Sequence, residues 1–128
     1  MIVGIGTDVA SIERVGEALA RFGERFVNRI LTPDERARFH RVNPRAQASH
    51  FAKRWAAKEA FSKAIGTGIH PPFNWQSVGV GRDDHGKPLL IANEKMTAHL
   101  KTLGVSRMHL SLTDDAGVAV AFVVLEDA

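Results

Sequence analysis

Cysteine is absent from the chain, so neither a disulfide nor a thiolate-held metal is available to it. That suits a reducing compartment, and the expected place is the cytoplasm. Tyrosine is absent too, and aromatic residues are only 7% of the chain. With no aromatic-rich RNA motif, zinc finger or basic arm, nucleic acid is not an expected partner. No apolar run reaches the ~18 residues of a spanning helix, so a membrane is not an expected partner either. The first residues, MIVGIGTDVASIERV, lack a basic start and meet Asp8 early, which argues against a leader or an anchor. Charge of one sign is scarce: 17 Lys and Arg against 14 Asp and Glu leave a formal +3. That mild excess, with a pI of about 9.7, favours an anionic partner such as a phosphorylated cofactor or an acidic protein.

What is present fits one core. The 128 residues are 45% hydrophobic and 24% charged, and a single domain over 1–128 is expected. IVGIG reads as a buried strand, and TDVASIERVGEALARF has helical spacing at Ile12, Val15, Leu19 and Phe22, which puts Asp8 at the junction. TPDE is a capping box, with Thr32 as N-cap and Pro33 at the first helical position. A long helix is predicted from about Arg45 to Ile65, stopped by GTG, where glycine supplies a positive φ. WQSVGVGR and LLIA read as strands around the turn DDHGKP. NEKMTAHLKTLG reads as a helix capped by Asn93, and RMHLSLT and VAVAFVVL form a closing hairpin. The predicted class is α+β: a mainly antiparallel sheet packed on a long central helix. VAVAFVVL is apolar on both faces, so it asks for cover on both sides, and self-association is one way to provide it.

The long helix carries an awkward carboxylate. Phe51, Ala52, Trp55, Ala56, Ala57, Ala60, Phe61, Ala64 and Ile65 fall almost all the way round its wheel, the pattern of a buried helix. Glu59 projects from it with Lys63 one turn later on the same face, while Lys58 points away. One reading is an i,i+4 ion pair, worth ~0.2–0.5 kcal/mol when exposed. The other is a ligand for a hard divalent cation, with Lys63 facing an anionic substrate. A buried carboxylate costs several kcal/mol unless it is paired or holds a metal. The metal reading needs a second carboxylate, and Asp8 is the candidate; its alternative role is N-cap of the helix beginning near Val9. One aspartate and one glutamate are too few for calcium but suit Mg2+, which completes its shell with water and phosphate oxygens.

GIGTDVASIERV and RWAAKEAFSKAIGTG together resemble the holo-acyl-carrier-protein synthase family of 4′-phosphopantetheinyl transferases. The family pattern is an aspartate after a G-x-G strand, then W/F-x-x-K-E-A-x-x-K far downstream; here these are Asp8 and Trp55 to Lys63. HGKPLL and HLSLTDD also sit where the family has them, and the resemblance covers Ile2 to about Glu126. It implies transfer of the 4′-phosphopantetheine arm of coenzyme A to a serine of apo acyl carrier protein in fatty acid biosynthesis. Adenosine 3′,5′-bisphosphate leaves. It further implies Mg2+ on Asp8 and Glu59, and a homotrimer with coenzyme A in clefts between subunits.

On that reading Lys63 reaches the phosphates, and Ser62, Gly66 and Gly68 line the coenzyme A site, the glycines letting backbone approach. Gly66 and Gly68 are equally an ordinary helix stop. Arg45 and Arg54 are candidates for coenzyme A phosphates or plain surface arginines. Lys87 and Pro88 are assigned to the adenine side. Arg14, Arg21 and Arg25 would dock the acidic carrier protein, or else form a solvated face with Glu13, Glu17 and Glu24. Glu59 or a metal-held water could take the serine proton. Some family members carry a histidine near Thr113 and Asp114, where this chain reads TDD. Asp114 or Asp115 is left as a possible substitute, and His109 is read as structural. A non-catalytic coenzyme A or nucleotide-binding module and a purely structural trimer are the rival readings.

Overall fold

The computed structural model describes residues 1–128. Strand β1 (Ile2–Ser11) pairs antiparallel with β5 (Val118–Glu126), and β5 with β4 (Arg107–Asp115), giving the order β1-β5-β4. Strands β2 (Val78–Arg82) and β3 (Pro88–Ala92) form a separate antiparallel hairpin. Helices α1 (Ile12–Phe22), α2 (Glu24–Ile30), α3 (Pro33–Phe39) and α4 (Gln47–Ala64) follow β1, and α5 (Glu94–Thr102) follows β3. The α+β class holds, with the strands in two sheets.

β1 is longer than IVGIG. Alternation runs on through TDVAS, so Asp8 lies inside the strand opposite Ala121, and not at a strand–helix junction. The N-cap of α1 is Ser11, whose hydroxyl accepts from the Arg14 N–H at 3.2 Å. The carboxylate of Asp8 is thereby free for other work. Gly23, at φ 56°, separates α1 from α2, and that left-handed geometry suits glycine. The TPDE box forms as read: Thr32 caps α3 and the Glu35 side chain returns to the Thr32 N–H.

Helix α4 lies on the face of the large sheet that carries Ala119, Ala121, Val123 and Leu125, all fully buried. It can come this close because β1 presents Gly4 and Gly6 to it. A Cβ on Gly6 would fall onto the Ala60 carbonyl oxygen and within 2.9 Å of the Ala64 backbone nitrogen. Backbone cannot yield as a side-chain tip can, so Gly6→Ala is predicted to cost at least ~3 kcal/mol, the upper end for overpacking. Urea unfolding checks this; a loss under ~1 kcal/mol would show that the helix can lift away freely.

The opposite face of the same sheet is open. Ile5 is 57% exposed, Val9 62% and Phe122 42%. Thr7 and Ser111 flank Phe122 in register. VAVAFVVL thus has cover on one face only within a single chain.

Candidate active site

Asp8 on β1 and Glu59 on α4 face each other where the helix crosses the strand. Burial first, and then the neighbouring Asp8 carboxylate, push the Glu59 carboxyl up to about 7, while Lys63 and the Trp55 indole pull it back. Glu59 is half-buried and not enclosed; the fully buried charges of α4 are Lys58 and Arg54. Lys63 is exposed, and its Nζ donates to the Thr7 carbonyl at 3.0 Å and to Asp8 Oδ1 at 3.4 Å. Its nearest acidic contact is therefore Asp8.

Asp8 Oδ2 is buried with no hydrogen-bond partner. An orphaned carboxylate oxygen beside a second carboxyl whose proton is held up to about 7 is an arrangement short of positive charge. Hard oxygen donors in that state fit Mg2+, which needs only one or two carboxylates. No third histidine or acidic side chain joins them.

The other expected residues divide. Gly66 and Gly68, at φ 87° and 62°, close α4 just beyond Lys63, and the Thr67 and Gly68 N–H groups donate to the Ser62 carbonyl. The Ser62 hydroxyl is buried and donates at 2.6 Å to the Glu59 carbonyl, so its own helix engages it. Arg45 sits in a short 3-10 turn, Pro44–Ala46, before α4. At 1.5 Å per residue it lies roughly 20 Å up the axis from Glu59, outside that cluster.

Arg54 is not a surface arginine: it is 2% exposed. It shares a cavity of about 210 Å³ with Lys53, Arg82 and Pro88. Lys87 and Pro88 border a further cavity with His109, Ser111, Phe122 and Val124, on the open face of the sheet. Asp114 is tied to Lys53 at 3.1 Å, and His109 Nε2 lies 2.6 Å from Glu126 Oε1. That hydrogen bond is the main force holding the Glu126 carboxyl low.

Arg14 and Arg21 are on α1, but Arg25 belongs to α2 beyond the Gly23 break. Arg14 borders a groove of about 290 Å³ with Val9, Ala18, Phe26 and Trp55. Arg25 borders a second groove with Phe22, Phe26 and Arg29. Phe22, expected on the apolar face of the first helix, is instead exposed with Arg21 stacked 5.3 Å over its ring, and Arg29 lies beside it as a residue the sequence reading missed. Their signal was the run ARFGERFVNR, in which arginine and phenylalanine alternate across the break.

A family model described as the 4′-phosphopantetheinyl transferase superfamily matches residues 4–123. A holo-[acyl-carrier-protein] synthase of Thiobacillus denitrificans is 44% identical over 128 residues, covering 100% of this chain and 96% of that protein. The crystal structure of holo-[acyl-carrier-protein] synthase from Neisseria meningitidis superposes with a TM-score of 0.93 at 41% identity, covering 99% of this chain and 100% of the other. The Bacillus anthracis synthase, solved in complex with coenzyme A (3′,5′-ADP), gives 0.84 at 38% identity, covering 100% of this chain and 99% of that one.

Proposed function

Because the chain belongs to the 4′-phosphopantetheinyl transferase superfamily and has the phosphopantetheinyl transfer activity of a holo-acyl-carrier-protein synthase, we propose that its reaction centre is Asp8, Glu59 and Lys63. The observation that carries this reading is the pair of facing carboxylates with the orphaned Asp8 Oδ2 and Lys63 beside it. Asp8 and Glu59 would hold Mg2+, which when bound supplies neutralising charge for the pyrophosphate of coenzyme A. The serine Oγ of the carrier protein forms a bond to the pantetheine-side phosphorus, and the bond from that phosphorus to the bridging oxygen breaks. The serine proton is released and adenosine 3′,5′-bisphosphate carries away the electron pair. Lys63, flexible and exposed, turns from Thr7 to the phosphate oxygens and offsets their charge.

Arg14, Arg21, Arg25 and Arg29, with Phe22 among them, suit an acidic, partly apolar helix of a carrier protein such as that of fatty acid synthesis. Its affinity should fall with salt.

Lys87 and Pro88 open onto the bare face of the sheet, whereas Asp8 faces α4 on the other side. A coenzyme A reaching both would lie in a cleft that the open face shares with another copy. A second copy covering the exposed Ile5, Val9 and Phe122 would complete a shared cleft, and the family resemblance favours a homotrimer.

The test mixes the protein with apo acyl carrier protein, coenzyme A and Mg2+, and follows the carrier by mass. The expected result is one added phosphopantetheine, made by a species of three chains in light scattering. Absence of the mass gain on a carrier that another transferase modifies would sink the catalytic assignment, and an active monomer would sink the shared cleft.

A further inference from the structure

Lys63 lies against the carboxylates that a metal would need. Its ammonium is the one cation bonded to either of them: Nζ donates to Asp8 Oδ1 at 3.4 Å, and no ion pair reaches Glu59. The other cations of α4 are engaged elsewhere, Lys53 with Asp114, Lys58 with Glu35 and Arg54 with the His50 carbonyl. One positive charge therefore serves two carboxyls, and it serves them incompletely. Asp8 Oδ2 stays buried without a partner, and the Glu59 proton is held up to about 7.

Lys63 is also free to leave. Its other bond, at 3.0 Å, is to the Thr7 carbonyl on β1, a strand whose only ladder partner is β5. Thr7 is exposed and the Lys63 side chain is 55% exposed, so withdrawal returns both groups to water and strands neither. A divalent cation on Asp8 and Glu59 would set two charges beside the one already there. At contact range that repulsion is worth on the order of 10-fold in affinity even with water-like screening. Phosphate oxygens offer the displaced ammonium a new counter-charge.

We propose that Lys63 is the resident counter-ion of the metal-free protein, opposing metal entry until the phosphates of coenzyme A draw it off Asp8. Metal and coenzyme A are then coupled through one side chain, and each tightens the other by the same factor. The inference rests on the carboxylate pair as the metal site and adds regulation to it: metal alone binds weakly, and metal with substrate binds well.

The probe is Mn2+, which like Mg2+ takes carboxylate and water oxygens. It is titrated at pH 8 into the full chain, and the free ion is read from its electron paramagnetic resonance signal. Without coenzyme A, Lys63→Met should bind Mn2+ at least ~10-fold more tightly than the parent. Lys63→Arg keeps the charge and should show no gain. Saturating coenzyme A should tighten Mn2+ on the parent, and do so at least ~10-fold less on Lys63→Met. The nucleotide's own hold on the ion is common to both and cancels. An unchanged melting temperature verifies folding of the exposed-site variant, and Lys63→Gln serves if the methionine variant fails to fold. Asp8→Asn separates this inference from the reading beneath it. Binding that Asp8→Asn abolishes, with Lys63→Met no tighter than the parent, overturns the counter-ion role and leaves the metal assignment standing. Binding that Asp8→Asn leaves unchanged sinks both.

Discussion

Glu59→Gln should lower the transfer rate by at least ~10²–10³-fold at saturating coenzyme A and Mg2+, the scale seen when one preorganised electrostatic group is removed. It should leave the fold intact or firmer. The parent carboxyl sits half-buried against Asp8, and that environment pushes it up to about 7. In metal-free protein the folded state therefore keeps a proton that the unfolded state has released. Stability from this group is present at low pH and is lost as pH rises from the ordinary carboxyl range through about 7. Glutamine has the same shape and no charge, so the variant escapes that loss. Melting temperature of variant minus parent should grow between pH 5 and 8 without Mg2+ and shrink when Mg2+ is added. Carrier-protein mass against time gives the rate, and scanning fluorimetry gives the difference. A variant that unfolds, with its rate per folded molecule unchanged, would return Glu59 to the role of a plain ion-pair partner.

Spacing alone favours that plain role, and what speaks against it is local. Glu59 and Lys63 do share a helix face, as i,i+4 periodicity requires, but Lys63 spends its hydrogen bonds on Thr7 and Asp8. The missing fact was where Asp8 stands. Reading IVGIG as the whole strand stopped the alternation early; Gly4, Gly6, Asp8 and Ala10 all point toward α4, and the register through Ser11 is continuous. The glycines that let the helix approach and the aspartate that meets Glu59 are one feature of β1. Short-range signals were legible throughout: the Thr32 box, the Asn93 cap and the positive-φ glycines after α4. Long-range pairings were not. Nothing in TPDE says that its glutamate also neutralises Lys58, because the capping role already accounts for that residue. The apolar wheel of α4 hid Arg54 and Lys58 in the same way, although their spacing of four sets two cations on one buried stripe.

Lys58→Met should do the reverse of Glu59→Gln: cost ~3–5 kcal/mol in stability while leaving the rate per folded molecule close to the parent's. Lys58 is fully buried, and its Nζ lies 2.6 Å from Glu35 Oε1. It also donates at 2.7 Å to the carbonyls of Ile30 and Trp75. Burial pulls the pKa of the Lys58 ammonium down, and the charge and hydrogen bond of Glu35 pull it back up. Methionine fills the volume but strands the Glu35 carboxylate and two carbonyls, which come from the end of α2 and the loop before β2. Adding Glu35→Gln removes the stranded charge while keeping an oxygen for the Thr32 or Val80 N–H. The double variant should therefore lose less than the two single losses summed, with a coupling of ~2–3 kcal/mol in a urea-unfolding cycle. Additive losses would mean that the pair does not act as a unit. The neighbouring positions then separate fold from chemistry. Lys58 points into the core and ties α4 to α2, α3 and the loop before β2, and Glu59 faces Asp8 on β1 in the proposed reaction centre. Substituting one should empty the folded population, and substituting the other should fill it with inactive protein.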